Sequence, residues 1–200
     1  LLFGSVMKTL EIRRHSIRSP LGDHLNQKGV TLARLVGQNI GPFDRVVTST
    51  RPRAYETAFA MGFAVDEQNE LMSTTGSSVE REAPWPLSFP IYAEIIKQNG
   101  PTTKYAAKLA KYYAGVMDYI SESRSALVIN HGGIVEMGVI GCLPDNDFSA
   151  WGDSVNYCEG ARLYWDDKFV RAEVLRVNKQ IMERKTPKIK TRRLNYANQL

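Results

Sequence analysis

Two histidines follow apolar segments that are far apart in the chain, and both have neighbours suited to phosphate chemistry. His15 lies between Arg14 and Arg18, at the point where a short apolar segment ends. His131 follows the mostly apolar run 125–130 and precedes two glycines. Because the chain contains only 3 histidines, two of them in equivalent positions indicate a single site built from two distant segments.

The residue types in these segments predict phosphoryl transfer. A neutral imidazole is a competent nucleophile toward phosphorus, which makes His15 the candidate nucleophile. The transferred group spreads negative charge over its oxygens, so the site must supply fixed donors. The planar guanidinium groups of Arg14, Arg18 and Arg53 can bind these oxygens in a way that lysine cannot. His131 can donate a further hydrogen bond, and the nearby arginines disfavour its charged form.

The apolar patterns predict elements that place these residues at one edge of a sheet. Strands that alternate with helices favour a three-layer α/β/α sandwich with a mostly parallel central sheet. Ligands of such sheets collect beyond the carboxyl ends of the strands, where the candidate residues would lie. The strands are predicted at 8–14, 45–48, 125–130 and, as an antiparallel hairpin, 161–165 and 170–177. The helices are predicted after a cap at Asn26, with a stop at Gly41-Pro42, over 53–60, after a cap at Thr102 or Thr103, and over 134–141.

The segment 66–90 is polar and then rich in proline and tryptophan. It predicts a long irregular loop, without a helix or strand, that covers the site. Trp85 and Tyr92 are candidates either for lining a substrate cleft or for packing this loop down. Tyr157 and Trp165 are predicted to belong to the core.

Three short motifs, taken in order, resemble the histidine phosphatase (phosphoglycerate mutase-like) superfamily. The resemblance spans most of residues 8–177 and implies the phosphoglycerate mutase-like fold. It also implies that His15 is phosphorylated, that Arg14 and Arg53 bind phosphate, and that His131 completes the pocket. The motifs are Arg14-His15, Arg53-Ala54-x-x-Thr57-Ala58 after Thr48-Ser49, and His131-Gly132-Gly133.

The residues around the nucleophile differ from the usual family pattern. Ser16 stands where the family usually has glycine, which puts the local turn geometry in question. Arg18 resembles the additional phosphate-binding arginine of the Arg-His-Gly-x-Arg type found in acid phosphatases. His131-Gly132 resembles the mutase-like branch instead, but no mutase motif surrounds the loop 66–90. The resemblance therefore favours a phosphatase over a mutase.

A glutamate in the loop 66–90 is implied by the same resemblance as the acid that protonates the leaving group. Glu70, Glu80 and Glu82 are available there, and Glu82 is favoured over Glu80. Each of them can equally be a surface carboxylate. Some family members also act without this acid on phosphates with good leaving groups.

Composition and charge limit the remaining possibilities. A chain of 200 residues with 43% hydrophobic content suits one domain, predicted at 8–178, after an N-terminal extension or cloning remnant at 1–7. The net charge is +5, but the 25 residues from Arg176 hold eight basic side chains and one acid. The basicity therefore belongs to a tail, 179–200, which is more typical of a solvated extension than of a nucleic-acid site.

The predicted location is the cytoplasm. No apolar stretch approaches the roughly 18 residues that a membrane helix needs, and no secretory pattern precedes Met7. The two cysteines, Cys142 and Cys158, lack metal-site or redox-motif spacing, which fits a reducing compartment.

The leading functional prediction is a metal-independent phosphatase that acts on a phosphorylated small molecule or a phosphoprotein, without a cofactor. A phosphoglycerate mutase-like phosphoryl transferase is the first alternative, because it begins with the same phosphoenzyme. A non-catalytic phosphate-binding regulatory protein and a nucleic-acid binder acting through the tail belong to other classes. A metal site formed by His24 with His15 and His131 has no support from carboxylates or cysteines, and nearby arginines would disfavour it. The oligomeric state is left open.

Overall fold

A six-stranded sheet crosses the protein, whose computed structural model describes residues 7–178. Its strands are β1 (Lys8–Arg14), β2 (Arg45–Ser49), β3 (Glu67–Asn69), β4 (Ser125–Asn130), β5 (Gly160–Asp166) and β6 (Lys168–Leu175). They lie in the order β3-β2-β4-β1-β5-β6. The β3–β2, β2–β4 and β4–β1 pairings are parallel, whereas β1–β5 and β5–β6 are antiparallel. The predicted mostly parallel sheet with a terminal hairpin is confirmed.

Helices cover both faces of this sheet. They are α1 (Gln27–Gly37), α2 (Pro52–Met61), α3 (Ser77–Glu82), α4 (Phe89–Ile96), α5 (Pro101–Met117) and α6 (Ile134–Cys142). The β4 side chains show the division, because Leu127 and Ile129 pack with α1 and α2. Ala126 and Val128 belong to the larger core with α3 to α6. This alternation buries both faces of the strand and gives the predicted three layers.

The first helix ends earlier than its sequence predicts. Asn26 caps α1 as expected, since its side chain accepts a hydrogen bond from the Gly29 N–H at 2.8 Å. The helix stops at Gly37 instead of continuing to Gly41-Pro42. The Asn39 side-chain N–H donates to the Leu35 carbonyl at 3.0 Å. This hydrogen bond satisfies a carbonyl of the last helical turn, which has no partner within the helix.

The segment 66–90 is more regular than predicted. It contains β3, the short 3-10 helix Glu70–Met72, α3 and the beginning of α4. Contacts with distant residues hold these short elements, such as the hydrogen bond from Tyr105 Oη to the Leu71 carbonyl at 2.7 Å. The predicted cap at Thr102 or Thr103 is also wrong, because α5 begins at Pro101 after Gly100. Elements of three to six residues are too short to show a clear periodicity.

Gly160 allows β5 to lie directly against β1. A Cβ atom at this position would lie 1.8 Å from the Ile12 carbonyl oxygen, which belongs to the backbone and has no room to move. We expect Gly160→Ala to lower the free energy of unfolding by at least about 3 kcal/mol in urea denaturation. Gly115→Ala is the matched control, since nothing lies within 4 Å of a Cβ there. That helical substitution should stabilise the protein by about 0.5–1 kcal/mol. Equal unfolding free energies for the two variants would contradict this account.

The ends of the chain, 1–6 and 179–200, lie outside the described residues. The N-terminal extension, the basic tail and the nucleic-acid alternative therefore stay predictions. Within residues 7–178, none of the helices has the length and apolar character needed to cross a membrane.

Candidate active site

His15 lies directly after β1 and is 5% exposed. Its Nδ1 is 2.7 Å from the Ser16 carbonyl oxygen, which can only accept a hydrogen bond. The proton of the neutral imidazole therefore lies on Nδ1. Arg53 donates its Nε–H to His15 Nε2 at 3.2 Å, so Nε2 carries the lone pair. The ring is held in the tautomer that a nucleophilic Nε2 requires.

Ser16 fixes the turn that follows His15. Its backbone N–H donates to Thr57 Oγ1 at 2.9 Å, and its hydroxyl donates to the Gly29 carbonyl at 2.7 Å. The side chain is fully buried. The hydroxyl therefore ties the nucleophile loop to the first turn of α1, and the carbonyl of Ser16 still orients His15.

His131 lies beside His15, as the sequence predicts for one site built from two segments. The centroids of the two rings are 5.2 Å apart. His131 Nε2 is 2.8 Å from Ser49 Oγ, at the end of β2. The other ring nitrogen, Nδ1, is buried without a hydrogen-bond partner among the described residues. It is therefore a polar atom that a ligand oxygen can satisfy.

Burial keeps both imidazoles neutral. Burial, with a further contribution from Arg53 and Arg14, lowers the pKa of His15 to about 3. Burial and the charge of Arg53 lower the pKa of His131 to about 2. A neutral His15 keeps the Nε2 lone pair available throughout the neutral pH range.

These shifts predict a loss of stability in acid. An unfolded histidine has a pKa of about 6.5, so acidification protonates the unfolded chain before the native site. Stability should fall as the pH drops below about 6.5 and continue to fall towards pH 3. Between pH 7.5 and pH 5 the loss should be about 2 kcal/mol for each of His15 and His131. Urea denaturation at both pH values measures this loss of unfolding free energy. The His15→Asn, His131→Asn double variant should lose about 4 kcal/mol less than the parent. The same pH dependence in the parent and the double variant would contradict this explanation.

Arg14 is held between two aromatic rings. Its guanidinium carbon lies 4.6 Å from the centroid of Trp85 and 4.3 Å from that of Tyr157. One amino group donates to the Val155 carbonyl at 3.1 Å, whereas the buried Nε has no partner among the described residues. Tyr157 packs against the core, as predicted, but it is only partly buried and also contacts Arg14 and His15. The two rings fix a cationic group beside the nucleophile.

Glu136 supports both halves of the site, although the sequence analysis did not select it. Its carboxylate accepts hydrogen bonds from the N–H groups of Gly133 at 2.7 Å and Val155 at 2.8 Å. Burial raises the pKa of this carboxyl, while the two N–H donors act in the opposite direction. The available signal was the glutamate three residues after Gly133, which is the spacing of a capping box.

Asp23 is a second residue that the sequence analysis missed. Its carboxylate accepts hydrogen bonds from Arg53 Nη1 and, at 3.4 Å, from Arg51 Nη1. Arg53 thus connects the nucleophile to an acidic residue of the loop before α1. Arg51 is about half exposed and also lines the cavity described below.

Arg18 and His24 lie outside the buried cluster. Arg18 is exposed and directs Nη1 toward the carbonyls of Ser19 at 3.4 Å and Gly22 at 3.3 Å. Its phosphate-binding role stays a prediction, although its charge contributes to lowering the pKa of His15. His24 Nδ1 contacts the Glu56 carboxylate at 2.5 Å on the surface. In residues 7–178 no group of three or more His, Cys, Asp or Glu side chains could hold a metal ion.

A cavity of about 290 Å³ opens beside these residues. Its lining includes Arg51, Arg53, Glu80, Trp85 and His131. Trp85 packs closely on the loop after β4, because a Cβ at position 132 would lie 2.4 Å from its Nε1. The prediction that the segment 66–90 covers the site is therefore confirmed for Trp85.

The favoured acid, Glu82, does not line this cavity. Its Oε2 accepts hydrogen bonds from the Thr102 N–H at 2.7 Å and the Thr102 hydroxyl at 2.5 Å. Glu82 therefore caps the N-terminus of α5, where a negative charge is favourable. Glu70 accepts a hydrogen bond from the Thr50 hydroxyl at 2.6 Å. Of the three glutamates, Glu80 lines the cavity. The contacts of Glu82 therefore do not support the preference for it over Glu80, and the identity of the acid stays a prediction.

Comparisons with known proteins identify the fold. No protein-family model matches the sequence, and no curated protein matches it. Among solved structures, YhfR of Bacillus stearothermophilus is 18% identical, covering 88% of this chain and 100% of that chain, with a TM-score of 0.59. A phosphoglycerate mutase from Bacillus anthracis is 13% identical over 89% of this chain and 96% of its own, with a TM-score of 0.57. The chain has the phosphoglycerate mutase-like fold.

A third match within the phosphoglycerate mutase-like fold is a phosphoserine phosphatase from Entamoeba histolytica, solved with 3-phosphoglyceric acid. It is 16% identical over 88% of this chain and 100% of its own, with a TM-score of 0.61. The described cluster of His15, Arg14, Arg53 and His131 lies beyond the carboxyl ends of β1, β2 and β4, the edge at which parallel sheets bind ligands.

Proposed function

We propose that the protein is a phosphatase that hydrolyses phosphomonoesters through a phosphohistidine on His15. The observation that carries this proposal is the state of the His15 ring. Its proton is fixed on Nδ1 by the Ser16 carbonyl, and its Nε2 faces Arg53. A nucleophilic nitrogen beside a cationic donor is the arrangement that attack on a phosphate requires.

The first half-reaction forms the phosphoenzyme. The phosphate dianion binds Arg14, Arg53 and His131, whose unpartnered Nδ1 is available to an oxygen. Nε2 of His15 attacks phosphorus, the N–P bond forms, and the bond to the leaving oxygen breaks. Glu80 faces the cavity and supplies a proton to that oxygen. The alcohol then leaves.

The second half-reaction returns the enzyme to its starting state. A water molecule attacks phosphorus, the N–P bond breaks, and its electron pair returns to His15 Nε2. The carboxylate of Glu80, now deprotonated, accepts the proton of the attacking water. Inorganic phosphate is released, and Arg53 regains its contact with His15. The arginines supply the charge stabilisation, so the proposal needs no metal ion.

The named activities of structures with this fold support the proposal. They include the Entamoeba phosphoserine phosphatase and a mycobacterial glucosyl-3-phosphoglycerate phosphatase. A phosphoglycerate mutase has the same fold. A mutase-like reaction would differ from hydrolysis in the acceptor of the second step, a substrate hydroxyl instead of water.

Two free cysteines, Cys142 and Cys158, support a cytoplasmic location.

Turnover of p-nitrophenyl phosphate in EDTA tests the proposal. We expect release of nitrophenol and inorganic phosphate in equal amounts, with no loss of rate when EDTA is added. Quenching in alkali, which preserves phosphohistidine, should leave one phosphoryl group on the protein by intact mass. Release of phosphate without a phosphoenzyme, or a rate abolished by EDTA, would refute the mechanism. Transfer to added glycerol in preference to water would indicate the mutase-like alternative.

A further inference from the structure

The hydroxyl of Tyr92 is a buried polar group that the proposed mechanism does not use. The Tyr92 side chain lies on α4 and is 0% exposed. Its hydroxyl has no hydrogen-bond partner among the described residues. A buried hydroxyl without a partner costs about 1–3 kcal/mol, so a position of this kind is expected where a ligand completes the hydrogen bond.

The hydroxyl lies at the wall of the cavity. An ideal Cβ built on Gly133 would lie 3.1 Å from Tyr92 Oη, 3.6 Å from Trp85 and 3.7 Å from Met137. All four residues line the cavity beside His131. The hydroxyl, Trp85 and Met137 therefore converge on one point beside Gly133, on the side of the cavity formed by the loop after β4.

The charges near Tyr92 indicate which group it can bind. Burial raises the pKa of Tyr92, and the negative charge of Glu136 raises it further. Tyr92 therefore remains a neutral O–H group, able to donate one hydrogen bond and to accept another. Since Glu136 lies close enough to act on Tyr92, an anionic ligand group is disfavoured there. A neutral hydroxyl is the complementary partner.

The size of the cavity limits the ligand. At about 290 Å³ it lies at the lower end of the roughly 300–1,000 Å³ typical of small-molecule sites. Thr74 and Thr75 also line it, which adds polar side chains to the wall. A short, hydroxylated leaving group matches this lining better than a large apolar one.

We propose that the Tyr92 hydroxyl binds a neutral hydroxyl on the substrate's leaving group, which makes small hydroxylated phosphomonoesters the substrate class. This inference rests on the proposed phosphatase function. It adds a residue that binds the alcohol part of the substrate, whereas the arginines and histidines bind the phosphate.

Two esters with one carbon skeleton test the inference. Glycerol 2-phosphate carries two hydroxyls, and isopropyl phosphate carries none. We expect the parent to favour glycerol 2-phosphate in kcat/KM, and Tyr92→Phe to lower that preference about five- to tenfold, the value of one hydrogen bond. Intrinsic differences in the reactivity of the two esters cancel in the comparison of parent with variant.

Tyr105→Phe is the matched control. The Tyr105 hydroxyl donates to the Leu71 carbonyl at 2.7 Å, and this side chain does not line the cavity. Its loss should lower the melting temperature and leave the substrate preference unchanged. Tyr92→Phe should show the opposite result, because the ring still fills its space and no internal hydrogen bond is lost. An unchanged preference in Tyr92→Phe would overturn the inference.

Calorimetric binding of the same esters separates this inference from the proposed function. If the parent hydrolyses neither ester but binds glycerol 2-phosphate more tightly, and Tyr92→Phe removes the difference, the phosphatase proposal fails and the Tyr92 site stands. If the parent binds the two esters equally, or binds neither of them, the Tyr92 inference is overturned whatever the turnover.

Discussion

His15→Ala is expected to reduce kcat for p-nitrophenyl phosphate by at least about 10⁴-fold, because removing a covalent nucleophile abolishes the two-step route. The remaining residues can still bind phosphate, so KM should change far less than kcat. Steady-state kinetics in EDTA, with alkaline quenching and intact mass, measure both effects. The variant should carry no phosphoryl group.

His24→Ala is the control for this experiment. His24 is exposed and contacts Glu56 on the surface, away from the buried cluster. It should keep the parent's rate and its phosphoenzyme. Equal turnover by the parent and His15→Ala would refute the mechanism. Loss of the phosphoenzyme with an unchanged rate would show that water attacks phosphorus directly.

The position of His15 beside His131 could be predicted because it depends on local pattern and on one general property of sheets. β1 alternates Leu10 and Ile12 with polar residues, β4 is mostly apolar, and the parallel pairing of the two strands aligns Arg14 with Asn130. The residues that follow each strand, His15 and His131, must then lie at the same edge. Only the ends and the parallel direction of the two strands had to be right. Both follow from the apolar patterns and from the helices that connect successive strands.

The residues around the nucleophile depend on contacts that no local pattern records. Tyr157 was assigned to the core, and its second contact, with Arg14, was not predicted. Asp23 lies in a loop whose path is set by its ion pairs with Arg53 and Arg51. Both side chains meet the site only after distant segments have folded together. The sequence motifs therefore indicated the clustered residues His15, Arg14, Arg53 and His131, but not the side chains that hold them in place.

The sequence could not separate Glu80 from Glu82 for a similar reason. Glu80 and Glu82 are two residues apart on α3, a helix of only 6 residues. Residues two apart on a helix point in different directions, so one can face the cavity while the other faces α5. The sequence did not indicate α3, and without a helix no rule could separate the two carboxylates. In the structure Glu82 caps α5, and Glu80 lines the cavity.

Glu80→Gln should therefore lower kcat/KM most for esters whose leaving group must be protonated. General acid catalysis contributes about 10²- to 10⁴-fold, so kcat/KM for isopropyl phosphate should fall within this range. The rate with p-nitrophenyl phosphate should stay nearly unchanged, because nitrophenolate leaves without protonation. Steady-state kinetics with the two esters measure the difference.

Glu82→Gln is the matched control, with the same chemical change two residues away. It weakens the charged cap on Thr102, so the free energy of unfolding should fall by about 1 kcal/mol. The ratio of its rates with the two esters should equal the parent's, because the Glu82 carboxylate binds the N-terminus of α5 and Glu82 does not line the cavity. A selective loss of isopropyl phosphate hydrolysis in Glu82→Gln, with Glu80→Gln unaffected, would reverse the assignment. Loss in neither variant would mean that the alcohol leaves without a proton from either carboxylate, and that the two arginines alone stabilise the departing charge.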